Sequence, residues 1–349
     1  MPVAKEDEYG ACNLALSSIL SVMILIRVNM KPTVTPRLSA LVARDARRVV
    51  VFRRGPSKHV RMLLWNLEDD SITPGQWFKG RIYTERCSLS PNGELLLYFG
   101  AKYKGEVPAL TALSRPPYFT ALAFWPQLGT WGGGGYFRSN HDLVLGAISP
   151  AAKDTSNEVH IPKALQVRHY SDLSESEKQV EAYWQLVQAG QEQHSKRAIR
   201  SIQENQKQSF EEPMDSVFDP PMICRRQNPH ESELYLEQRT LGFPKEKPYS
   251  PVETYRLVHL GSGKPKPLLP PERCDLGVLD WAAWAPSGSL IYAKEGCLYR
   301  DRCIGPKRLT NTPELIANLC DQEMSPISPP PEALQWPAYL GRSRRQKKH

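Results

Sequence analysis

The sequence predicts a mainly β chain built as an array of short antiparallel meanders. Three observations predict it. Short runs of β-branched, leucine-rich or aromatic sequence recur from residue 38 onward, each bounded by Asp, Gly, Pro or Ser. The first runs fall into groups of four, each group spanning roughly 40 residues. One turn pattern, an apolar run meeting x-Pro-(Asn/Ser)-Gly and then a second apolar run, occurs at residues 89–96 and again at 284–291.

The bulk composition agrees. The chain has 349 residues, enough for one large domain or two ordinary ones. Its 31 prolines and 22 glycines point to many turns and away from a helical bundle. The net charge is +8, and the terminal "GRSRRQKKH" holds Arg342, Arg344, Arg345, Lys347 and Lys348, so the body is only mildly basic. Seven cysteines at irregular spacing, with no C-x-x-C, read as reduced thiols in a cytoplasmic protein.

The first 29 residues stand apart. The apolar run at 14–26 is too short to span a bilayer, and acidic residues surround Lys5 where a secretory signal would be basic. The preferred reading is an upstream extension, with translation beginning naturally at Met30. The rival is a short membrane-associating or signal-like segment.

Four strands are expected over 38–78, from "RLSALVA", "RRVVVFRRG", "HVRMLLWNL" and "SITPGQWF". Four more, "RCSLS", "ELLLYFGA", "ALTALSR" and "FTALAFW", follow over 86–127. A vaguer third group begins at the glycine run, so residues 30–150 form a first set of blade-like units. Residues 151–232 read as a linker with a helical insertion over 172–212 and then a Pro-rich loop. Ser174 with Glu177 makes a capping box, Val180, Tyr183, Trp184 and Val187 recur at helical spacing, and Pro213 ends the segment. Its polar second half, up to about residue 230, is the internal stretch expected to be most open to protease. Strand signals return over 233–325, and 326–349 is a Pro-rich and basic tail.

The repeated turn has a physical rationale. Pro91 or Pro286 fixes φ for the second position of a type I turn, and Asn92 or Ser287 suits the third. Gly93 or Gly288 then takes the left-handed conformation that reverses the chain with the right twist. "LSPNGELLLYF" and "WAPSGSLIYAKEGCLYR" resemble repeats of WD-repeat and TolB-type β-propellers, and "MLLWNLEDD" is similar to the strand ending in Trp-Asp, with Asn66 in place of the aspartate. The resemblance implies a β-propeller-like array of about five blade-like units, not necessarily regular. It implies little about function, because propellers carry many unrelated activities.

Candidate sites are few. Trp131, Gly132, Gly133, Gly134 and Gly135 form a glycine run that could contact a ligand, although no Lys-Ser or Lys-Thr follows as a phosphate-binding loop requires. The alternative is a tight connection between strands. His141 and Asp142 are the His-Asp pair near it. No nucleophile elbow, metal-binding spacing or catalytic set is present, so no cofactor and no metal are expected, and a binding role is favoured over catalysis. Arg53, Arg54, Lys58, His59 and Arg61, with Lys79, Arg81 and Arg86, interleave with Trp65, Trp77 and Tyr83. They are a candidate surface for an acidic partner or single-stranded nucleic acid. The competing reading is plain strand alternation, aromatics inward and charges outward.

The function expected is that of an interaction protein engaging a macromolecular partner, a protein first. The alternatives are a propeller-fold hydrolase or lactonase-like enzyme, and a nucleic-acid binder using the basic patch and tail. No integral membrane segment is expected.

Overall fold

The structure is a computed structural model. It describes residues 35–55, 58–146, 161–178, 192–194, 216–243, 251–261, 264–266, 275–302 and 313–341. By its contacts the chain divides into Met1–Thr35 and Pro36–His349, and every strand and helix named below belongs to the second unit. The expectations for residues 1–29, for Val180–Val187 and for the basic tail beyond residue 341 lie outside the described residues. So do those for residues 56–57, 147–160 and 195–215.

The unit is mainly β, with several antiparallel sheets and few helices. Sheet I comprises β1 (Arg37–Val42), β2 (Arg48–Arg54), β3 (His59–Asn66) and β4 (Ile72–Lys79), paired in chain order. Its central strand β2 reads RVVVFRR because both of its faces are buried. Val49 and Val51 enter a core with Leu63, Trp65, Ile291, Ala293 and Leu298, while Val50 and Phe52 enter another with Met62, Phe78, Leu96 and Tyr98. A continuous apolar run is what a strand packed on both sides requires.

Sheet II comprises β5 (Arg81–Ile82), β6 (Ser88–Leu89), β7 (Leu96–Ala101), β8 (Ala109–Ser114) and β9 (Ala121–Gln127). The turn from β6 to β7 closes through Gly93 N–H to the Ser90 carbonyl (2.8 Å), with Gly93 at φ +70°. The second copy is the same hairpin in another sheet. Gly288 N–H donates to the Ala285 carbonyl (2.8 Å) at φ +80°, joining β19 (Trp281–Trp284) to β20 (Leu290–Lys294). With β21 (Cys297–Asp301) and β22 (Glu314–Asn318) these strands make sheet V.

Between them lie two less regular sheets. In sheet III, β10 (Gly135–Ser139) pairs antiparallel with β11 (Asp142–Leu145), and β12 (Gln166–His169) adds to β11 in parallel. Residues 166–169, expected within a linker, are thus an edge strand. Sheet IV holds β13 (Glu192–His194), β14 (Ser216–Gln227), β15 (Leu234–Phe243), β16 (Val252–Gly261), β17 (Lys264–Lys266) and β18 (Asp275–Val278).

Sheet IV corrects two expectations. The capping box is present, with Ser174 N–H donating to Glu177 Oε2 (2.8 Å) and Glu177 N–H to Ser174 Oγ (3.2 Å), and residues 175–178 are helical. Yet Glu192–His194, within the predicted helical stretch, pairs as a strand with Cys224–Arg226. That half of the segment has no apolar stripe to hold a helix, and an edge strand needs only main-chain partners. The expected Pro-rich loop is largely β14. Its ladder is interrupted between Val217 and Met222, where Pro220 and Pro221 bring no N–H, so the prolines sit in the irregularity and the strand continues beyond it.

Four pairs of sheets share cores among the described residues. Sheets I and II meet around Phe52, Met62, Phe78 and Tyr98. Sheets II and III meet around Leu97, Trp125, Phe137 and Leu143, and Leu340 of a short helix at Ala338–Gly341 fills the same core. The expected tail is therefore anchored up to residue 341. Sheets IV and V meet around Leu236, Leu257 and Trp284. The first and last sheets also share a core, and Leu38 N–H donates to Asp280 Oδ2 (3.3 Å) across them. Cys87, Cys224, Cys297 and Cys320 are free thiols. No helix among the described residues is long and apolar enough to cross a membrane.

Candidate partner-binding surface

Strand alternation divides the expected basic patch. Arg53 lies on the face of β2 that Val49 and Val51 share, so it points at sheet V and is fully buried. Its guanidinium donates to the carbonyls of Leu319 (2.5 Å), Gly55 (2.5 Å) and Cys320 (2.6 Å). Arg53 is thus withdrawn from any partner surface. It is a latch between β2 and the chain leaving β22. Arg61, its cross-strand partner, lies over the Trp77 ring (5.3 Å) and donates to Gln322 Oε1 (3.0 Å).

Arg54 and Lys58 go the other way and are exposed. They sit at the end of sheet I where Arg37 pairs with Arg54 and His59 with Lys79. Gly80 N–H donates to the Lys58 carbonyl (2.7 Å), and the chain passes directly into β5, where Arg81 pairs with Ala101. The ends of sheets I and II therefore meet. Arg81 lies over the Tyr83 ring at 4.4 Å, and the hydroxyls of Tyr83 and Tyr103 are 2.5 Å apart. Partial burial, then the charges of Arg81 and Arg37, pushes the Arg54 pKa below the ordinary arginine value. Burial and the Tyr103 hydroxyl push Tyr83 up to about 12, so its phenol stays neutral at physiological pH.

The glycine run reaches the same end. Ala109 pairs with Gln127, which places the β7–β8 connection beside the chain leaving β9. Arg86, stacked between Tyr83 and Phe99 (5.3 Å to each ring), donates to the carbonyls of Thr130 (2.6 Å) and Gly132 (3.2 Å). The backbone of the run is already engaged. Gly134 N–H donates to Thr111 Oγ1 (2.8 Å), and Gly133, Gly134 and Gly135 have φ of +88°, +77° and +145°. A Cβ on Gly133 would lie 2.5 Å from the Phe99 ring, and one on Gly134 2.4 Å from the Arg86 carbonyl. These glycines let the chain pass tightly between Phe99, Arg86 and Val144, and they present Trp131, which is 82% exposed.

One end of sheets I and II thus gathers Arg37, Arg54, Lys58, Lys79, Arg81, Lys102 and Lys104, against Glu85 and Glu106. Exposed Tyr103 (58%), Leu128 (76%) and Trp131 stand among them. In the sequence, Arg54, Lys58, Lys79, Arg81 and Trp131 fall into two separate candidates. Sequence reasoning misses Arg37, Leu128 and the "KYKGEV" connection, where alternating lysine and tyrosine in a short loop is the available signal.

His141 is elsewhere. The length of β10 separates it from the glycine run, and it occupies the opposite hairpin end. There its Nδ1 lies 3.1 Å from the Ala164 carbonyl and its ring stands edge-on to Tyr339 (5.3 Å). Asp142 turns away to Arg168 (2.8 Å) and Arg138 (3.3 Å), so the two residues form no acid-base pair.

A cavity of about 220 Å3 at the seam of sheets I and V is lined by Arg47, Glu68, Ser287, Arg300 and Arg302. Its buried cation is engaged structurally. Arg300 donates to the Leu67 carbonyl (3.0 Å), Asp70 Oδ1 (2.7 Å) and Ser289 Oγ (3.1 Å). Asp70 also accepts from Trp65 Nε1 (2.9 Å) and from Arg302. Among the described residues no three His, Cys, Asp or Glu side chains come together as a metal site.

The fold defines a mainly β protein of several antiparallel sheets. No protein-family model matches the sequence, and no curated protein does. Among solved structures the chain is similar to an uncharacterized protein of Listeria monocytogenes EGD-e, at 11% identity over 81% of this chain and 83% of that one. The TM-score is 0.26, too low to bear on fold or function.

Proposed function

We propose that the five sheets are the blades of a β-propeller-like scaffold, and that the chain is an interaction protein binding an acidic protein partner at the shared end of sheets I and II. The scaffold reading is supported by sheets that follow one another along the chain and by the core joining the first sheet to the last. The partner reading is carried by one observation: Tyr103, Leu128 and Trp131 stand exposed within a cluster of lysines and arginines. Exposed aromatics on a fixed backbone are the usual anchors of an interface, and a surrounding cationic rim steers and orients an acidic surface.

The test is quantitative co-purification from cell extract with the wild type and a Tyr103→Ala/Trp131→Ala double variant, run at low and high salt. Trp131 lies mostly in water and Tyr103 loses only its hydroxyl contact with Tyr83, so the variant should melt within about 1.5 kcal/mol of the wild type. Acidic proteins that are enriched on the wild type, released by salt and absent from the variant are the expected result. Identical partner profiles for the two would overturn the assignment.

A further inference from the structure

The outer face of sheet IV carries a second cluster, independent of the surface above. The inner face, with Leu236, Tyr255 and Leu257, packs on sheet V. Alternation places Arg225, Glu237, Arg239 and Arg256 together on the other face, and the register sets Arg225 opposite Glu237 on one side and Arg256 opposite it on the other. Glu237 is fully buried. Arg225 Nε reaches its Oε2 at 2.7 Å, Arg256 Nε reaches Oε1 at 2.6 Å, and Arg239 Nε lies 3.8 Å from Oε1.

The arithmetic of this cluster is uneven. One carboxylate faces three guanidinium groups, leaving a surplus of two positive charges. The carboxylate is held through Nε atoms, and the terminal Nη atoms of all three arginines make no hydrogen bond within the described residues. The side chains are 23%, 36% and 39% exposed, while Arg239 Nε itself is buried, so the exposed part of Arg239 lies toward its terminal nitrogens. Asp275, opposite Arg256 on β18, accepts the Gly277 amide (2.9 Å) and makes no ion pair with the cluster among the described residues. Glu237 therefore acts as an internal post that fixes Arg225 and Arg256 through their Nε atoms, with the Arg239 guanidinium beside it at ion-pair distance.

The geometry points to Arg225, Arg239 and Arg256 as a binding site for a phosphomonoester group. Three planar forks supply parallel donor pairs that match phosphate oxygens. A phosphomonoester carries about −1.5 to −2 charges near neutral pH, which balances the surplus, whereas a phosphodiester carries only one. The group could be borne by a small molecule or by a phosphorylated side chain of another protein.

The test measures binding by calorimetry to the full chain. The probes are inorganic phosphate, dimethyl phosphate, a phosphoserine peptide and its unphosphorylated twin. Saturable binding of inorganic phosphate, with dimethyl phosphate much weaker, is expected. Arg239→Gln should weaken it at least tenfold without changing the melting temperature, because both Glu237 oxygens keep their bonds to Arg225 and Arg256. Arg256→Gln serves as a second variant, with melting followed alongside. A phosphopeptide binding more tightly than inorganic phosphate, its twin not at all, assigns the site to a protein side chain; equal affinities assign it to free phosphate or a small phosphomonoester. No saturable phosphate binding, or binding untouched in both variants, overturns the proposal.

Discussion

At the scale of single residues, the glycine run and its tryptophan do different work. Gly134 occupies φ +77°, and a Cβ there would press on the Arg86 carbonyl, which is backbone and cannot swing aside. Gly134→Ala should therefore cost about 1–3 kcal/mol through strain alone. Trp131→Ala should leave the melting temperature nearly unchanged, since the side chain is already in water. Thermal melting of the two variants side by side checks this. If Gly134→Ala melts like the wild type, the run is not the tight passage described. Gly93→Val and Gly288→Val force a β-branched residue to positive φ in the two matching hairpins, and each should lower the melting temperature.

At the scale of elements, Arg53 joins β2 to the chain leaving β22. Its three carbonyl acceptors lose their donor if the guanidinium is removed. An unsatisfied buried polar group costs about 1–3 kcal/mol, so Arg53→Met should destabilise by roughly 3 kcal/mol or more, although it keeps most of the volume. Arg53→Lys should rescue little, because one ammonium cannot reach three carbonyls that a planar fork serves at once. Chemical denaturation of both variants measures this. A lysine variant as stable as the wild type would mean that charge, not the fork, makes the latch. Arg300 plays the corresponding part at the β3–β4 turn, where Asp70 receives it together with Trp65.

At the scale of the whole molecule, the buried charge on sheet IV gives stability an acid-side limit. Burial pushes the Glu237 carboxyl up, but hydrogen bonds from Arg256 and Arg225 more than offset this and hold it below its ordinary value of 4.5. A group lowered on folding contributes stability above its unfolded pKa and loses it as pH falls through the folded one. The wild type should therefore exceed Glu237→Gln in melting temperature at neutral pH, with the gap closing as pH drops below about 4.5. Melting curves across the acid range decide it, and a gap constant with pH would remove Glu237 from the acid transition.

The sequence by itself determined the local structure. The apolar runs of sheets I, II and V, and both x-Pro-(Asn/Ser)-Gly hairpins, were legible because alternation and turn chemistry are properties of neighbouring residues. The Ser174–Glu177 cap was legible for the same reason. β12, β13 and β14 were not: a parallel edge strand, a polar edge strand and a strand interrupted by two prolines carry little apolar pattern, and pairing with a neighbour decides them. The candidate surface was half visible. Arg54, Lys58 and Trp131 stood out, but Arg53 next to Arg54 could not be separated from it by sequence. Which face of a strand is buried depends on what stacks against it, and here both faces of β2 are covered. Only the tertiary structure could send Arg53 inward to Leu319 and Cys320, bring Tyr103 and Trp131 to one end from loops far apart in sequence, and set three arginines around Glu237. Apart from Arg239, two residues from Glu237 on β15, those choices belong to contacts between segments apart in sequence, and no short stretch contains both partners.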